Sequence, residues 1–375
     1  MPQGEQFWNP YRWVTLDPKR PIERKEPTYH HQFRGCCGCI WCELETLTPL
    51  VIGDGQQGFI RHKGTNRPYI PGTSLKGAIR SLAEVVGNGN APFDSQKSWV
   101  DFAHAVDQAL WQEKGKDVWD IVSRTFGYLH ARTVFAGLIR FSDAELVAAQ
   151  TATPAWPKFK VAVGQPKPDR HKPFYPNQDR RKFYHHIPGT DRLTPPHPGI
   201  KQTTEPEAAP PGTRFAFTVD FENLRKEELA LLVYCLILEE EVTVELSPAA
   251  LGKTNPAAQG VILKGPLRHK IGGCKPHGGG SVRIQITKLL LREDPAARYR
   301  GGQTAEKIFE GPSLAELVST LTEPIRNRSD RTMKELRAML IYTPDDPRRP
   351  INYPTYQWFQ DAKRTGQSPP LKPTI

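Results

Sequence analysis

The chain has 375 residues, and its 51 lysine and arginine residues exceed its 40 aspartate and glutamate residues, which gives a formal net charge of +11. This excess favours a polyanionic partner, and the lack of a run of about 18 apolar residues excludes a membrane-spanning helix. The first residues also lack the apolar core of a secretory signal, so we expect a cytoplasmic protein without a membrane partner.

The first 37 residues are polar and aromatic and predict an extended N-terminal arm. A strand is predicted to follow, beginning at Cys39. Cys39 and Cys42 form a CxxC pair, a spacing found in zinc sites, but a closed site needs a second ligand pair. The cysteines outside this cluster, Cys235 and Cys274, each stand alone. Zinc is therefore not expected. Cys39 and Cys42 remain weak candidate zinc ligands, because the second ligand pair is missing.

The segment Tyr69–Arg80 predicts the end of a strand, a tight turn at its Pro-Gly pair and the start of a helix. Thr73 or Ser74 can cap the free backbone N–H groups of that helix. Lys76 and Arg80 lie four residues apart and share one helix face. Two cations near a helix N-terminus are favourable if an external anion, typically a phosphate, binds there. The alternative is a capped amphipathic helix with solvated cations.

The next part of the chain predicts helices and then a strand. Residues 98–123 have apolar residues at helical spacing, which indicates one or two helices, and residues 135–146 indicate a strand. Asp143, at the end of that strand, is expected to be a turn or capping residue rather than a catalyst.

Residues 151–212 differ in composition from the rest of the chain, with 13 prolines and, between positions 158 and 201, ten lysines and arginines against three aspartates. Basic side chains neutralise phosphates, and aromatic faces stack on unpaired bases, so this pattern favours single-stranded nucleic acid. The alternative is a solvent-exposed linker. The candidate RNA-binding residues of the insertion are Arg180, Arg181, Lys182 and Tyr184.

Regular structure is predicted again after residue 212. Strict alternation indicates a strand over 212–221, and Asn223 is predicted to cap a helix over 225–240. Short strands are predicted at residues 242–246 and near 260–266. The helices predicted for the C-terminal part cover residues 305–309, 313–321 and 333–340.

A glycine-rich loop precedes the last predicted strand, with five glycines in the nine positions 272–280. Glycine lets the backbone approach a ligand and presents N–H groups to phosphates. The loop matches neither the P-loop nor the Rossmann pattern, because no helix follows it. Nearby basic residues favour an RNA or DNA backbone, and a plain hairpin connection is the alternative. The candidate binding residues are Gly272, Gly273, Lys275, Gly278, Gly279 and Gly280.

The turn motif Tyr69–Arg80 and the glycine-rich loop Ile271–Val282 together resemble the repeat-associated mysterious protein (RAMP) superfamily. The chain is most similar to the RRM-like backbone subunits of type III CRISPR effector complexes, and its arm, insertion and C-terminal region resemble the III-D group. Further matching segments are Thr48–Gly55, Phe126–Gly127, Phe141–Asp143 and Glu222–Leu224.

The resemblance implies an α+β fold, a ferredoxin-like (RRM-like) RAMP core with a proline-rich basic insertion and a helical C-terminal extension. The expected organisation is an arm (1–37), a first core half with inserted helices (38–150), a thumb-like insertion (151–212), a second core half with the glycine-rich loop (213–290) and the extension (291–375).

The resemblance also implies partners and contacts. The chain would assemble with other CRISPR effector subunits along a guide RNA (crRNA) paired with complementary target RNA. Thr73, Ser74, Lys76 and Arg80 would contact the guide backbone, and the glycine-rich loop would lie against the same RNA.

Three enzymatic or binding alternatives remain open. In RNA-cleaving relatives an aspartate in the loop before the turn motif supports metal-assisted attack by the RNA 2′-hydroxyl, and Asp54 is the only carboxylate of that loop here, with Mg²⁺ as the expected cofactor. Asp54 lies earlier than the usual position and can equally be a turn residue, while His62 can act as an acid or base. His185 and His186 suit an endoribonuclease that processes guide precursors. The last alternative is an unrelated basic RNA-binding module.

Overall fold

The computed structural model describes residues 10–16, 23–53, 57–89, 112–113, 116–130, 133–147, 155–162, 180–196, 203–248, 259–294, 306–348 and 351. The helices of this part of the chain are α1 (Gly72–Val86), α2 (Ile121–Phe126), α3 (Lys226–Ile237), α4 (Gly311–Arg326) and α5 (Arg331–Leu340). The strands are β1 (Tyr11–Thr15), β2 (Arg24–Lys25), β3 (Cys36–Thr46), β4 (Tyr69–Ile70), β5 (Gln112–Glu113), β6 (Lys116–Asp117), β7 (Trp119–Asp120), β8 (Gly127–His130), β9 (Thr133–Ala136), β10 (Ile139–Phe141), β11 (Ala144–Leu146), β12 (Arg180–Tyr184), β13 (Arg214–Leu224), β14 (Val242–Leu246), β15 (Val261–Gly265), β16 (His269–Lys270), β17 (Ser281–Arg292) and β18 (Lys307–Phe309).

An antiparallel sheet of eight strands forms the centre of the fold, in the order β16–β17–β3–β13–β11–β4, with β10 also beside β13 and β18 beside β17. β3 and β13 pair along most of their length, with Leu44 opposite Phe215 and Ile40 opposite Val219. Their side chains alternate between a buried and a half-exposed face, as the period of two in a strand requires. This mixed α+β architecture around a curled antiparallel sheet confirms the predicted α+β class.

Helices α1 and α3 cover the buried face of the sheet. Leu75, Ile79 and Leu82 of α1 lie at helical spacing and join the same apolar cluster as Leu229 and Leu232 of α3 and the inward residues of β3 and β13. The helix predicted after the turn motif is therefore confirmed. Helix α3 begins after Arg225, whose backbone N–H donates to the Glu228 carboxylate at 2.9 Å.

Asn223 does not cap that helix, contrary to the sequence prediction. It is fully buried with a positive φ of 59°, a backbone region that asparagine enters more readily than most residues. Its side-chain amide instead holds the segment 29–35 of the arm against the sheet. Its partners are the N–H groups of Arg34 and Gly35 and the carbonyl oxygens of Tyr29 and Gln32, at 2.7–2.8 Å.

The predicted elements over 98–146 are only partly described. Residues 98–111 lie outside the described residues, and within 119–126 the structure has the short strand β7 followed by α2. The single strand predicted over 135–146 is divided into β9, β10 and β11, with breaks at residues 137–138 and 142–143. β9 pairs with β8, β10 and β11 both pair with β13, and β11 also pairs with β4, an arrangement that periodicity alone does not reveal.

The described residues 306–348 contain the helices α4 and α5, and the helix predicted over 305–309 is wrong. Residues 307–309 form β18, which pairs with residues 289–291 at the end of β17. Edge pairing of this kind depends on a distant strand, so local helical spacing does not predict it. α5 begins with a side-chain cap, because the Asp330 carboxylate accepts a hydrogen bond from the backbone N–H of Met333 at 3.1 Å.

Candidate nucleic-acid interface

The turn motif forms the start of α1, but neither Thr73 nor Ser74 supplies its cap. The helix begins at Gly72, so both residues lie in its first turn with exposed side chains. The cap comes from Asp143, whose carboxylate accepts a hydrogen bond from the Gly72 N–H at 2.7 Å. A side chain at position 72 would place its Cβ 2.3 Å from the carbonyl oxygen of Phe141. Gly72 thus lets α1 start directly against the end of β10.

Lys76 and Arg80 lie on one face of α1, as predicted, and both contact backbone carbonyls of the same protein. The Lys76 ammonium donates to the carbonyl of Ile139 at 3.1 Å, and Arg80 donates to the carbonyl of Gly127 at 2.9 Å. Burial, then the charges of Arg80 and Arg140, lower the pKa of Lys76. These cations are half-buried and partly satisfied, with donor capacity left for an external anion.

The basic segment of the insertion forms a two-stranded ribbon with the N-terminal arm. β12 pairs with β1 so that Lys182 lies opposite Trp13 and Tyr184 opposite Tyr11. The Lys182 ammonium lies 3.6 Å from the centroid of the Tyr11 ring, a cation–π contact. Burial lowers the pKa of Lys182 to about 8, with a smaller effect from the charge of Lys275. Among the described residues, a strand of the predicted arm therefore pairs with a strand of the predicted insertion.

Arg181 connects this ribbon to the turn-motif helix. Its Nε donates to one oxygen of the Glu84 carboxylate at 2.8 Å, and Arg80 donates to the other oxygen at 3.2 Å. Glu84 is buried and was not singled out from the sequence, because an acid on an amphipathic helix gives no local signal of its partners. Two predicted site segments are brought together by this carboxylate. The side chain of Arg180 lies outside the described residues.

The glycine-rich loop packs against residues 48–52, the segment that follows β3. The Gly280 N–H donates to the carbonyl of Pro49 at 2.9 Å, and the Gly273 N–H donates to the carbonyl of Val51 at 2.8 Å. Gly272, Gly278 and Gly280 have positive φ values, which a residue with a side chain adopts at a cost. Gly272 and Gly273 are exposed, whereas Gly278, Gly279 and Gly280 are buried. Of these five glycines only Gly272 and Gly273 are open to a ligand in this conformation, and the Gly273 N–H is already bonded to Val51.

His277 fastens the same loop to the insertion. Its two ring nitrogens lie 2.9 Å from the carbonyl oxygens of Thr194 and Ala162, and its own carbonyl accepts from the Thr194 N–H at 2.9 Å. The loop thus has fixed contacts on both sides, to the segment after β3 and to the insertion. Sequence analysis assigned the loop to RNA but did not find its link to the insertion.

His185 and His186 are both buried, at 2% and 4% exposure. His186 donates through Nε2 to the carbonyl of Arg268 at 3.0 Å, which leaves Nδ1 to accept from the hydroxyl of Ser281 at 2.8 Å. The Ser281 oxygen in turn accepts from Lys270 at 3.2 Å. Burial is the main reason that the pKa of each histidine lies well below its usual range, and nearby positive charges lower it further. In this conformation an RNA phosphate at the surface contacts neither ring.

The loop of the predicted cleavage site is described only in part, because Asp54 lies outside the described residues. His62, farther along, contacts Glu145 through Nε2 at 2.8 Å and stacks on Tyr69 with ring centroids 4.0 Å apart. No group of three His, Cys, Asp or Glu side chains that could hold a metal ion occurs in the described ranges. The described side chains therefore do not by themselves fit a Mg²⁺ site, which prefers several oxygen ligands.

Cys39 and Cys42 lie three residues apart in β3 and so point to opposite faces of the sheet. Cys42 is buried in the core, while Cys39 is half-exposed, so the two thiols do not converge on one position. Burial raises the pKa of Cys39 to about 12, with a further contribution from Asp220. A raised thiol pKa is unfavourable for the thiolate that zinc binds.

A sequence model of the RAMP superfamily matches residues 43–241, more than half of the chain. The match begins within β3 and ends after α3, so it includes the turn motif, the insertion and β13. No curated protein matches the chain. Within the part of the chain that the structure describes, no helix is long and apolar enough to cross a membrane.

Proposed function

The chain belongs to the RAMP superfamily, and from this premise we propose that it is a crRNA-binding backbone subunit of a type III CRISPR effector complex. Membership indicates a CRISPR-associated RNA-binding subunit that works with RNA and other subunits. The finer assignment adds that the chain holds the guide RNA and positions complementary target RNA. We place the assembled complex in the cytoplasm, the compartment expected from the sequence.

A ferredoxin-like core is part of this proposal. The order β17–β3–β13–β10/β11, with α1 connecting β3 to β10 and α3 following β13, supports it. Numbered as four core strands, this order is 4-1-3-2 with two helices on one face, which is the ferredoxin-like arrangement. The remaining strands and α4 and α5 are additions to this core. The division of the chain into five parts, which was predicted from the sequence, is also a proposal.

The observation that carries the RNA-binding proposal is the convergence of three predicted segments. The Glu84 carboxylate joins α1 to β12, and His277 joins the glycine-rich loop to the insertion. Lysine, arginine and tyrosine side chains from regions far apart in the sequence thereby lie along one connected part of the molecule. Positive charge with interleaved aromatic rings suits a single-stranded RNA backbone and its bases.

Target-RNA cleavage at Asp54 remains a proposal that rests on the family resemblance. An alternative, processing of guide precursor by His185 and His186, requires both rings to reach RNA. The burial of both rings and the contacts of His186 with Ser281 and Arg268 support a structural role instead. We therefore favour the binding function and keep cleavage as a secondary property.

The first experiment is purification of the chain with the products of its neighbouring genes, followed by sequencing of the RNA that is retained. Short RNAs of uniform length with partner subunits would support the proposal. Absence of uniform bound RNA and of partners would favour an unrelated basic module.

The assembly is then incubated with complementary target RNA and Mg²⁺, for wild type and for Asp54→Asn. Cuts lost in the variant would assign cleavage to this chain. Cuts that persist would leave it a guide-holding subunit whose chemistry resides elsewhere. Cleavage of guide precursor by the purified chain, lost in His186→Ala, would instead support the processing enzyme.

A further inference from the structure

We propose that His62 is the general base that activates an RNA 2′-hydroxyl for strand cleavage, and that Glu145 and Tyr69 position its ring. This inference rests on the proposed function and deepens it, because it gives the cleavage activity a candidate residue besides Asp54. The sequence alone shows only that His62 can act as an acid or base. The structure supplies its two partners, which come from β4 and β11.

The backbone of His62 is held by a short hairpin in the connection between β3 and β4. Its N–H donates to the carbonyl of Arg67 at 2.9 Å, and its carbonyl accepts from the N–H of Asn66 at 2.8 Å. A bridge between Arg61 and Pro68 extends the same hairpin. His62 is the only histidine between residues 47 and 68, so this connection offers one imidazole for proton transfer.

Two contacts fix the orientation of the His62 ring. Its Nε2 lies 2.8 Å from Oε1 of Glu145, and the ring stacks on Tyr69 with centroids 4.0 Å apart and planes 11° from parallel. Glu145 and Tyr69 are themselves opposite each other where β11 pairs with β4. Because a carboxylate accepts but does not donate, the neutral ring holds its proton on Nε2 and leaves the lone pair on Nδ1.

The Nδ1 atom of His62 is open to a ligand. It has no hydrogen-bond partner among the described residues, and the side chain is 35% exposed. His185 and His186, in contrast, are almost fully buried. An imidazole that a carboxylate orients on one side, with a free proton-accepting nitrogen on the other, is the arrangement of a general base.

Arg67 attaches the same hairpin to β11 and adds a positive charge there. Its guanidinium donates to the carbonyl of Leu146 at 3.1 Å, next to Glu145 in the chain. The hairpin is therefore fastened without the His62 ring. Arg67 is exposed, and its guanidinium makes no second hydrogen bond or ion pair within the described residues. Its remaining N–H donors can stabilise negative charge that develops on phosphate oxygens.

The reaction needs only RNA, water and this base. Nδ1 of His62 takes the proton of a 2′-hydroxyl, and the 2′-oxygen attacks the adjacent phosphorus. The new O2′–P bond forms as the P–O5′ bond breaks, which leaves a 2′,3′-cyclic phosphate and a 5′-oxygen. The 5′-oxygen takes a proton from water, and the resulting hydroxide removes the proton from His62. The products are one cyclic phosphate end and one 5′-hydroxyl end.

The test compares His62→Gln with wild type in the guide-containing assembly, incubated with complementary target RNA and Mg²⁺. Glutamine can still donate to Glu145 but cannot take a proton from a hydroxyl. We expect the cleavage rate to fall about 100-fold, the size of a general-base contribution, with target affinity and unfolding temperature close to those of wild type. His31→Gln changes an exposed ring of the arm and is the matched control.

Two further variants separate catalysis from structure. His62→Ala should regain part of the lost cleavage when imidazole is added to the solution, because the free base can enter the space of the missing ring. Glu145→Gln should lower the cleavage rate without changing target affinity, since an amide can donate as well as accept and no longer fixes the tautomer of His62.

Wild-type cleavage by His62→Gln, or a failure of imidazole to restore cleavage to folded His62→Ala, would overturn the proposal. A wild-type assembly that holds guide and target RNA without cutting would also overturn it and would leave the proposed function standing. If the chain retains no guide, the comparison is made on labelled single-stranded RNA with the chain alone. Cuts that are lost in His62→Gln would then support the base while the proposed function fails, and an absence of cuts would overturn both.

Discussion

Arg181 of the insertion donates a hydrogen bond from Nε to the Glu84 carboxylate of α1 across 2.8 Å. The two residues are 97 positions apart in the sequence. Because the second oxygen of Glu84 accepts from Arg80, this single buried acid neutralises a cation from the turn motif and one from the insertion. The geometry of the candidate interface therefore depends on a residue that does not itself face a ligand.

Replacement of this acid should lower stability. Glu84→Gln leaves two largely buried guanidinium groups beside a neutral amide, and we expect a loss of about 1–3 kcal/mol in the free energy of unfolding. Urea unfolding measures this loss. Glu316→Gln, an exposed position on α4, serves as the control and should change stability by less than about 0.5 kcal/mol. Equal stability of the two variants would show that the Glu84 contacts contribute nothing.

Two glycines of α1 should respond in opposite directions to alanine. At Gly72 the added Cβ would lie 2.3 Å from a carbonyl oxygen, whereas at Gly77 nothing lies within 4 Å. Gly72→Ala should therefore destabilise the protein by roughly 2 kcal/mol, since backbone must shift. Gly77→Ala should stabilise it by about 0.5–1 kcal/mol through helix propensity. Urea unfolding measures both changes. Similar free energies of unfolding for the two variants would contradict the start of α1 at Gly72.

Stability should fall as the pH drops below about 6.5, the ordinary pKa of an unfolded histidine. Burial lowers the pKa values of His185 and His186 in the folded state, and it lowers the pKa of His269 to about 4. Below pH 6.5 the unfolded chain takes up protons that the folded chain does not, so folding loses roughly 1.4 kcal/mol per pH unit for each such histidine. This stability is fully present above pH 6.5 and is lost towards acid pH.

The variant that tests this pH dependence is His185→Leu, because neither ring nitrogen of His185 has a hydrogen-bond partner among the described residues. The stability lost between pH 7 and pH 5 should shrink by roughly 2 kcal/mol in this variant. His31→Gln alters an exposed ring and should leave the pH dependence unchanged. An unchanged profile in His185→Leu would contradict the burial of that ring.

Lys76 and Arg80 should contribute to RNA binding without sequence preference. Lys76→Ala combined with Arg80→Ala is expected to weaken binding to all single-stranded RNAs and to lower the salt slope by about 1.4, the value for two phosphates. Fluorescence titration across salt concentrations measures the slope. Lys226→Ala with Lys264→Ala removes the same charge from exposed positions and is the control. If both pairs change the slope equally, only net charge matters and the turn motif has no special role.

Local patterns predicted much of the core correctly. The spacing of Leu75, Ile79 and Leu82 predicted α1, and strict alternation over residues 212–221 predicted β13, because each element buries one of its own faces. The resemblance to the superfamily agrees with the match over residues 43–241, which includes the turn motif and ends before the glycine-rich loop. These signals are local, so they can be read without knowing the partner of each element.

Contacts between distant residues could not be predicted in this way. Asn223 was expected to cap a helix and instead binds the arm, and residues 307–309 were expected to be helical and instead extend the sheet. The cap of α1 comes from Asp143 and not from Thr73 or Ser74. In each case the hydrogen-bond partner lies at least 16 residues away, where periodicity and capping rules carry no information.

By itself, the sequence determined the positions of the two core helices and a positive charge suited to RNA, because these follow from composition and from patterns a few residues long, whereas the α+β class was implied by the family resemblance. Tertiary structure alone decided that His185 and His186 are buried and that strands of the arm and the insertion pair. The physical reason is that burial and the electrostatic environment of a side chain depend on every segment that packs around it, whereas helix and strand propensity depend mainly on its neighbours in the chain.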